Sequence, residues 1–363
     1  MRTDLPQWVG AQHGPRSAAR LRIVNLSELD PAWNWLAGSM RGRQDLQWLH
    51  SSALATGAPR GLPRAASAAR ALAAWRAGRL VSDPASSLLV SHGPRMTMYG
   101  AFATSLKRTR PRHLAYSFNF TQLPQGPTRS VMAKAFAGVD RFVCFSNMER
   151  GLYAEHFGLD IDRIDMIHWA ARPPQGAAPA TVAGAGAYAC ALGSQGRDYA
   201  TLFAAMRTLP SIRLVVVATP ASLAGLAVPD NVTVLCDIPL AEAMGVLRGS
   251  RFSIVPLAGN EVPCGHVTIV SAMHSGKASI VSASSGVADY VEDEVNGLTV
   301  PVGDASALAR AIERLWSEPA RAARLGAAAQ AFARARCGED AAVTYFENYL
   351  LSCTEPRTEI SPR

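Results

Sequence analysis

Apolar and polar positions along the second half of the chain alternate between two spacings. Tyr188–Leu192, Arg213–Ala218, Val232–Cys236, Phe252–Leu257 and Ser279–Ser282 are short apolar runs of strand length. Tyr199–Leu209, Ala241–Leu247, Val267–His274 and Ser306–Trp316 carry helical spacing, and Val287–Val291 and Leu298–Val302 are further apolar runs. Strands separated by helices of this length predict right-handed β-α-β units and a parallel sheet. Val215-Val216-Val217 is apolar at successive positions, so both faces of that strand are expected to be covered. The first half repeats the pattern less clearly, with strands predicted at Leu21–Leu26, Leu46–Leu49, Ser87–Ser91, His113–Phe118 and Phe142–Phe145. The fold class is therefore α/β, with two Rossmann-like domains whose parallel sheets face a cleft. Ligands of such sheets bind beyond the carboxyl ends of the strands, so the loops after the strands are where chemistry is expected.

The boundary between the halves runs from Ala171 to Ala187, rich in Pro, Gly and Ala with a single charge, which is linker composition. It divides the chain into a first domain over 1–170 and a second over 188–335. A helix over 336–353 is expected to return to the first domain, and 354–363 reads as a frayed tail. Ser51 to Ala65 reads as a surface loop. No repeat of fixed period is present.

Composition narrows the class. The chain has 363 residues, 48% of them hydrophobic and 18% charged, which excludes wholesale disorder. No run approaches the 18 apolar residues of a membrane span, and the amino-terminal residues lack the apolar core of a signal peptide, so a soluble cytoplasmic protein is expected. The six cysteines form no C-x-x-C pair. Cys144, Cys190 and Cys236 lie in apolar runs and are expected as small buried hydrophobes. The net charge of +8 is unevenly spread: residues 1–175 hold 22 Lys and Arg against 11 Asp and Glu, and the remainder 14 against 17. A basic first half could meet nucleic acid, anionic lipid or a phosphorylated substrate. No aromatic-interleaved basic stripe or known module supports nucleic acid. Lys107-Arg108-Thr109-Arg110-Pro111-Arg112 reads either as a solvated loop or as a peripheral contact with an anionic membrane.

Three loops of the second half combine small residues with helix starts. Gly193-Ser194-Gln195-Gly196-Arg197-Asp198 is a glycine turn whose backbone could cradle phosphate beside Arg197, or an ordinary turn capped by Asp198. Gly259 to His266, with Cys264 and Gly265, opens a helix that carries Thr268 and Ser271. This terminus suits an anion and its hydroxyls suit a sugar, though capping by Thr268 explains them equally well. Ala283-Ser284-Ser285-Gly286-Val287 is the third. In the first half, His92 and Asn119 follow strands and could orient a sugar, and Arg95 could hold a phosphate. Ser146 and Glu149 are spaced as a capping box. P-loop, G-x-G-x-x-G, G-x-S-x-G and H-E-x-x-H motifs are absent.

The run from Lys277 through Gly286-Val287-Ala288-Asp289-Tyr290-Val291, then Asn296-Gly297 and Gly303-Asp304, resembles the donor-binding domain of GT-B glycosyltransferases of family 4 (group 1). Phe145-Ser146-Asn147-Met148-Glu149-Arg150 and Ile167-His168-Trp169-Ala170 are similar to first-domain segments of the same family. The family's Glu-x7-Glu pair is atypical here: the second position is Ser271 and the first Pro263, so both glutamates are missing.

The resemblance implies a GT-B fold and a glycosyltransferase. Such an enzyme moves a hexose-type sugar from a UDP- or GDP-linked donor to a saccharide or lipid-linked acceptor, with retention and no obligatory metal. It needs no cofactor beyond the nucleotide-sugar, and no D-x-D pair is expected to hold a metal. The process implied is exopolysaccharide, lipopolysaccharide or glycolipid assembly at the inner membrane face. Catalytic candidates are His92, Asn119 and Ser271. Donor-binding candidates are Gly193, Ser194, Arg197, Cys264, Gly265, His266, Thr268, Ser271 and Lys277. A catalytically inactive GT-B protein that binds a saccharide or a partner is the alternative, favoured by the missing glutamates.

Overall fold

A computed structural model describes residues 21–30, 35–54, 63–81, 83–184, 186–259 and 264–353. The first domain runs β1 (Leu21–Ser27), α1 (Trp35–Ser39), β2 (Leu46–Ser52), α2 (Pro63–Leu80), β3 (Ser87–His92), α3 (Pro94–Ser105), β4 (Arg112–Tyr116), α4 (Gly126–Phe136), β5 (Arg141–Cys144), α5 (Asn147–Phe157) and β6 (Ile164–Met166). The second runs β7 (Ala189–Leu192), α6 (Tyr199–Arg207), β8 (Leu214–Val217), α7 (Pro220–Leu223), β9 (Val232–Leu235), α8 (Leu240–Gly249), β10 (Ser253–Val255), α9 (His266–His274), β11 (Ser279–Ser282), β12 (Leu298–Val300), α10 (Ala305–Ser317), α11 (Pro319–Arg336) and α12 (Glu339–Ser352). Each domain holds a six-stranded sheet, ordered β2-β1-β3-β4-β5-β6 and β12-β11-β10-β7-β8-β9, and all the pairings are parallel.

Both orders reverse direction once, and such reversals open crevices for ligands beyond the strand ends. In the first sheet the reversal lies between β1 and β3, and in the second between β7 and β10. Helices cover both faces of the first sheet. Val24, Leu26, Leu89 and Met96 pack with Ala73 and Ala77 of α2. On the other face Ile23, Leu88, Val90 and Leu114 pack with Phe346, Tyr349 and Leu350 of α12. Those three residues recur at i, i+3 and i+4, one stripe of a helix. The last helix therefore lies on the first domain, although it follows the second in sequence.

The segment between β6 and β7 has no regular structure but is held to the second domain. Val182 is buried with Val246 and Leu247 of α8. Gly176 has φ +128°, and a Cβ there would fall 1.9 Å from the Ala241 carbonyl oxygen, so only glycine permits this approach. Arg248 donates to the Gly176 carbonyl at 2.8 Å.

Several expectations need correction. Cys144 and Cys190 are buried but Cys236 is exposed. It follows β9, an edge strand with solvent on one side. Ser51 and Ser52 belong to β2 and Pro63 opens α2, so the surface loop proposed there shrinks to 53–62, of which 55–62 lie outside the described residues. The tail over 354–363 and the loop positions 260–263, Pro263 among them, also lie outside the described residues. The apolar run at Val287–Val291 follows one turn of 3-10 helix, Ser285–Val287. β6 was missed because it is three residues long and its central residue is Asp165, which accepts from Tyr345 of α12 at 2.6 Å. Asp160-Ile161-Asp162 does have D-x-D spacing. It lies before β6, at the amino end of the first sheet, where Asp160 caps its turn and Asp162 faces Arg150.

Candidate active site

At the reversal of the second sheet the loops after β7 and β10 are stitched together. Asp198 N donates to Pro256 O at 3.0 Å, Ala258 N to Gly196 O at 3.0 Å, and Arg197 forms a bridge with Leu257. The Arg197 guanidinium lies inside this stitch. It donates to Leu192 O (3.2 Å), Gln195 O (3.1 Å) and the Thr268 hydroxyl (3.1 Å), and its Nη1 stands 3.7 Å from Cys264 Sγ. Every one of these partners is neutral. No carboxylate pairs with Arg197 among the described residues. Gly193 turns with φ +105°, and a Cβ there would sit 2.8 Å from Arg197 Nη2. Glycine is thus what lets the guanidinium lie over the turn.

Both bland explanations of these loops are settled by geometry. Asp198 does cap α6, accepting from Thr201 N at 2.9 Å. Thr268 does not cap α9. The cap is Gly265 at φ +100°, with no side-chain hydrogen bond to the first turn. The leading amides of α9 therefore point beyond the strand ends beside Arg197, an arrangement that favours an anion. Ser194 joins the loops after β7 and β8, accepting from Thr219 N at 2.8 Å.

Three of the other donor-side candidates are engaged elsewhere. His266 bonds the Gly286 carbonyl at 2.7 Å and lies against Tyr290, so its ring supports the loop after β11. Burial holds its pKa down. Ser271 is buried in the body of α9, beyond its first turn. Lys277 precedes β11 and donates to Ser250 O at 2.6 Å. It therefore lies at the amino ends of the strands, the opposite rim from Arg197, and is corrected out of the site. Strand polarity in a parallel sheet decides this.

The first sheet presents a different rim. His92 ends β3 and its Nε2 donates to Asn25 Oδ1 at 2.7 Å across the β1–β3 reversal. The Asn25 amide nitrogen in turn donates to His50 Nδ1 at 3.3 Å. Burial pushes the His92 pKa down to about 4, so the ring is neutral at pH 7. Asn119 is half-buried in the loop after β4. Its neighbours Phe118 and Phe120 are buried against Tyr153 and Phe157, which pins the loop on either side of it. Arg95 is exposed on the first turn of α3, just beyond His92. His92 and Asn119 thus follow adjacent strands, whereas Ser271 belongs to the other domain.

The junction between the domains was not anticipated. Asp289, after β11, accepts from both the backbone N and the side-chain amide of Asn147, each at 2.7 Å. Tyr290 donates to Phe145 O at 2.7 Å and accepts from Trp169 N at 2.8 Å. His168 bonds Asp289 O at 3.1 Å. These residues all fall in the segments that carry the family resemblance, but a motif read along one chain does not show which motif it touches. Beneath the junction, the expected capping box forms. Ser146 accepts from Glu149 N at 3.2 Å, and the buried Glu149 carboxylate accepts from Phe145 N, Ser146 Oγ and Tyr153 OH. Desolvation raises the Glu149 pKa.

Residues 197–318 match the family of group 1 glycosyl transferases. More than nine-tenths of the chain is similar to solved structures. Sucrose-phosphate synthase from Thermosynechococcus elongatus superposes with a TM-score of 0.71 at 18% identity, covering 92% of this chain and 99% of that one. HepE from Anabaena, solved with UDP and glucose, gives 0.70 at 14% identity, over 92% and 100%. A glycosyltransferase from Rickettsia africae gives 0.62 at 13%, over 93% and 100%. No curated protein matches the sequence. The family match lies within the second domain and the shared architecture extends over both, so the chain has the GT-B fold, and residues 197–318 are similar to group 1 glycosyl transferases.

Proposed function

We propose that the protein is a glycosyltransferase that moves a hexose from a nucleoside-diphosphate donor to a saccharide or lipid-linked acceptor. The observation that carries this is Arg197, whose partners among the described residues are all neutral, beside the start of α9 that no side chain caps, at the reversal of the second sheet. A sugar leaving its nucleotide passes negative charge to the diphosphate. A fixed cation and preoriented amides stabilise that charge as it develops. The glycosyl centre becomes oxocarbenium-like, as in glycoside hydrolysis. It would face the first domain's rim, where we assign the holding of sugar hydroxyls to Asn119 and to the row that ends in neutral His92. The HepE structure with UDP and glucose supports a UDP-linked donor. Retention of configuration, independence of a metal and a place in polysaccharide or glycolipid assembly at the cytoplasmic membrane face follow from the family resemblance and belong to the same proposal.

Pro263 and Ser271 in place of the family's glutamates favour one competing reading, a GT-B protein that binds saccharide without transfer. Turnover separates the two. Incubation with UDP- and GDP-hexoses is expected to release UDP or GDP, slowly to water and faster with a saccharide acceptor, and Arg197→Ala is expected to abolish release. Nucleotide binding without release by the wild-type protein would support the binding module instead.

A further inference from the structure

On the far edge of the first domain a groove of about 400 Å³ opens between the end of β2 and the last turns of α2. Its volume falls among small-molecule sites, roughly 300–1,000 Å³. It is lined by His50, Ser51 and Ser52 of β2 and by Trp75, Arg76, Arg79 and Leu80 of α2. Trp75 is 54% exposed, an unusual placement for the largest apolar side chain on an otherwise alanine-rich helix. Arg79 lies over its ring, with its guanidinium carbon 5.1 Å from the centroid. Arg70, nearer the start of the same helix, is paired with Glu28 at 2.8 Å. Arg76 and Arg79 have no carboxylate partner among the described residues, although they lie one turn apart and repel each other.

An aromatic face takes the C–H face of a pyranose, and paired guanidiniums take a carboxylate or phosphate. A hydrogen-bonded row links the wall of the groove to the reversal of the sheet. His50 on its wall is bonded to Asn25, and Asn25 to His92 at the β1–β3 reversal. Two strand spacings, roughly 10 Å, separate β2 from β3. We infer that this groove is an acceptor subsite for a saccharide bearing a carboxylate or phosphate, with Trp75 as the stacking platform and Arg76 and Arg79 reading the anion. An acceptor whose reacting end lies near His92 would lay its next sugars along β2. This rests on the glycosyltransferase reading, and it names the kind of acceptor. A groove of this volume suits a chain of sugar rings better than the flat surface of a bilayer.

Calorimetric titration of the full chain tests it, with trigalacturonic acid and glucose 6-phosphate as anionic probes and maltotriose as the neutral one. At least one anionic probe is expected to bind at least tenfold more tightly than maltotriose. Arg76→Ala/Arg79→Ala should remove that preference, and Trp75→Ala should weaken both kinds of probe about tenfold. All three side chains are exposed, and unchanged circular dichroism and melting would show that the variants remain folded. Affinities unmoved by the substitutions would overturn the inference. So would inorganic phosphate matching the sugars, or binding to phosphatidylglycerol vesicles but to none of the saccharides. UDP titrated into the same samples reports on the second domain separately. A failed groove with intact UDP binding leaves the transferase reading standing, and saccharide binding without any nucleotide response would contradict that reading alone.

Discussion

The two domains share a topology class yet build their rims from different materials. In the second, the reversal of the sheet is lined by backbone, by three glycines at positive φ (Gly193, Gly196 and Gly265) and by one cation whose partners among the described residues are all neutral. In the first, it is lined by neutral side chains in a hydrogen-bonded row, His50, Asn25 and His92. A diphosphate is the same in every nucleotide-sugar, so peptide amides and one arginine suffice for it. An acceptor hydroxyl has to be placed and its proton managed, which calls for titratable side chains. On the proposed function, the difference between the rims follows the difference between a nucleotide-sugar donor and a saccharide acceptor.

The largest expected effect sharpens this contrast through pH. Burial holds His92 and His113 at about 4, below the ordinary 6.5. The unfolded chain therefore takes up these protons first as pH falls. The stability is whole above about pH 6.5 and is lost toward pH 4, by up to about 3 kcal/mol for each ring. In the second domain, the bond of His266 to Gly286 O opposes its own desolvation. Hydrogen exchange at pH 7 and pH 5 should show faster opening of β3 and β4 than of β7 and β10, and His113→Gln should reduce the gap. Equal acceleration in both sheets would break the comparison.

Arg197→Ala comes next. Removing the cation of the stitch should weaken UDP or GDP binding roughly 30- to 100-fold, about 2–3 kcal/mol, as titration calorimetry would show. Maltotriose binding in the first domain should not change. Gly193→Ala should cost about 1–2 kcal/mol of stability in thermal melts, because its backbone is left-handed and the added Cβ meets the guanidinium. The smallest effect is expected from Asp289→Ala. It removes two hydrogen bonds to Asn147, about 1 kcal/mol in all, and should speed exchange at the start of α5 without altering either sheet.

The strand pattern was legible wherever a strand is covered on both faces, as at Leu214, Val215 and Val216 of β8, because burial forces continuous apolar runs. It failed at β6, where an acidic residue is satisfied by a tyrosine more than a hundred positions away. Arg197 and Gly193 could be read from a local motif, since a turn and its helix lie within a few residues. Lys277 was misplaced because a motif gives spacing along the chain but not the end of the sheet on which it falls. The clamp of Asp289 and Tyr290 on Asn147 and Phe145 joins positions about 140 apart, and no local pattern carries such a pairing.

The central claim is that the second domain holds a nucleoside diphosphate at Arg197. The most direct measurement is the thermal stabilisation of wild-type protein and Arg197→Ala by UDP, GDP, ADP and TDP and their hexose conjugates. One nucleotide at a hundred times its dissociation constant should stabilise the wild-type protein by about 2.7 kcal/mol, and the same concentration should do far less for the variant. Silence across the panel with the protein folded, or an equal response from Arg197→Ala, would contradict it.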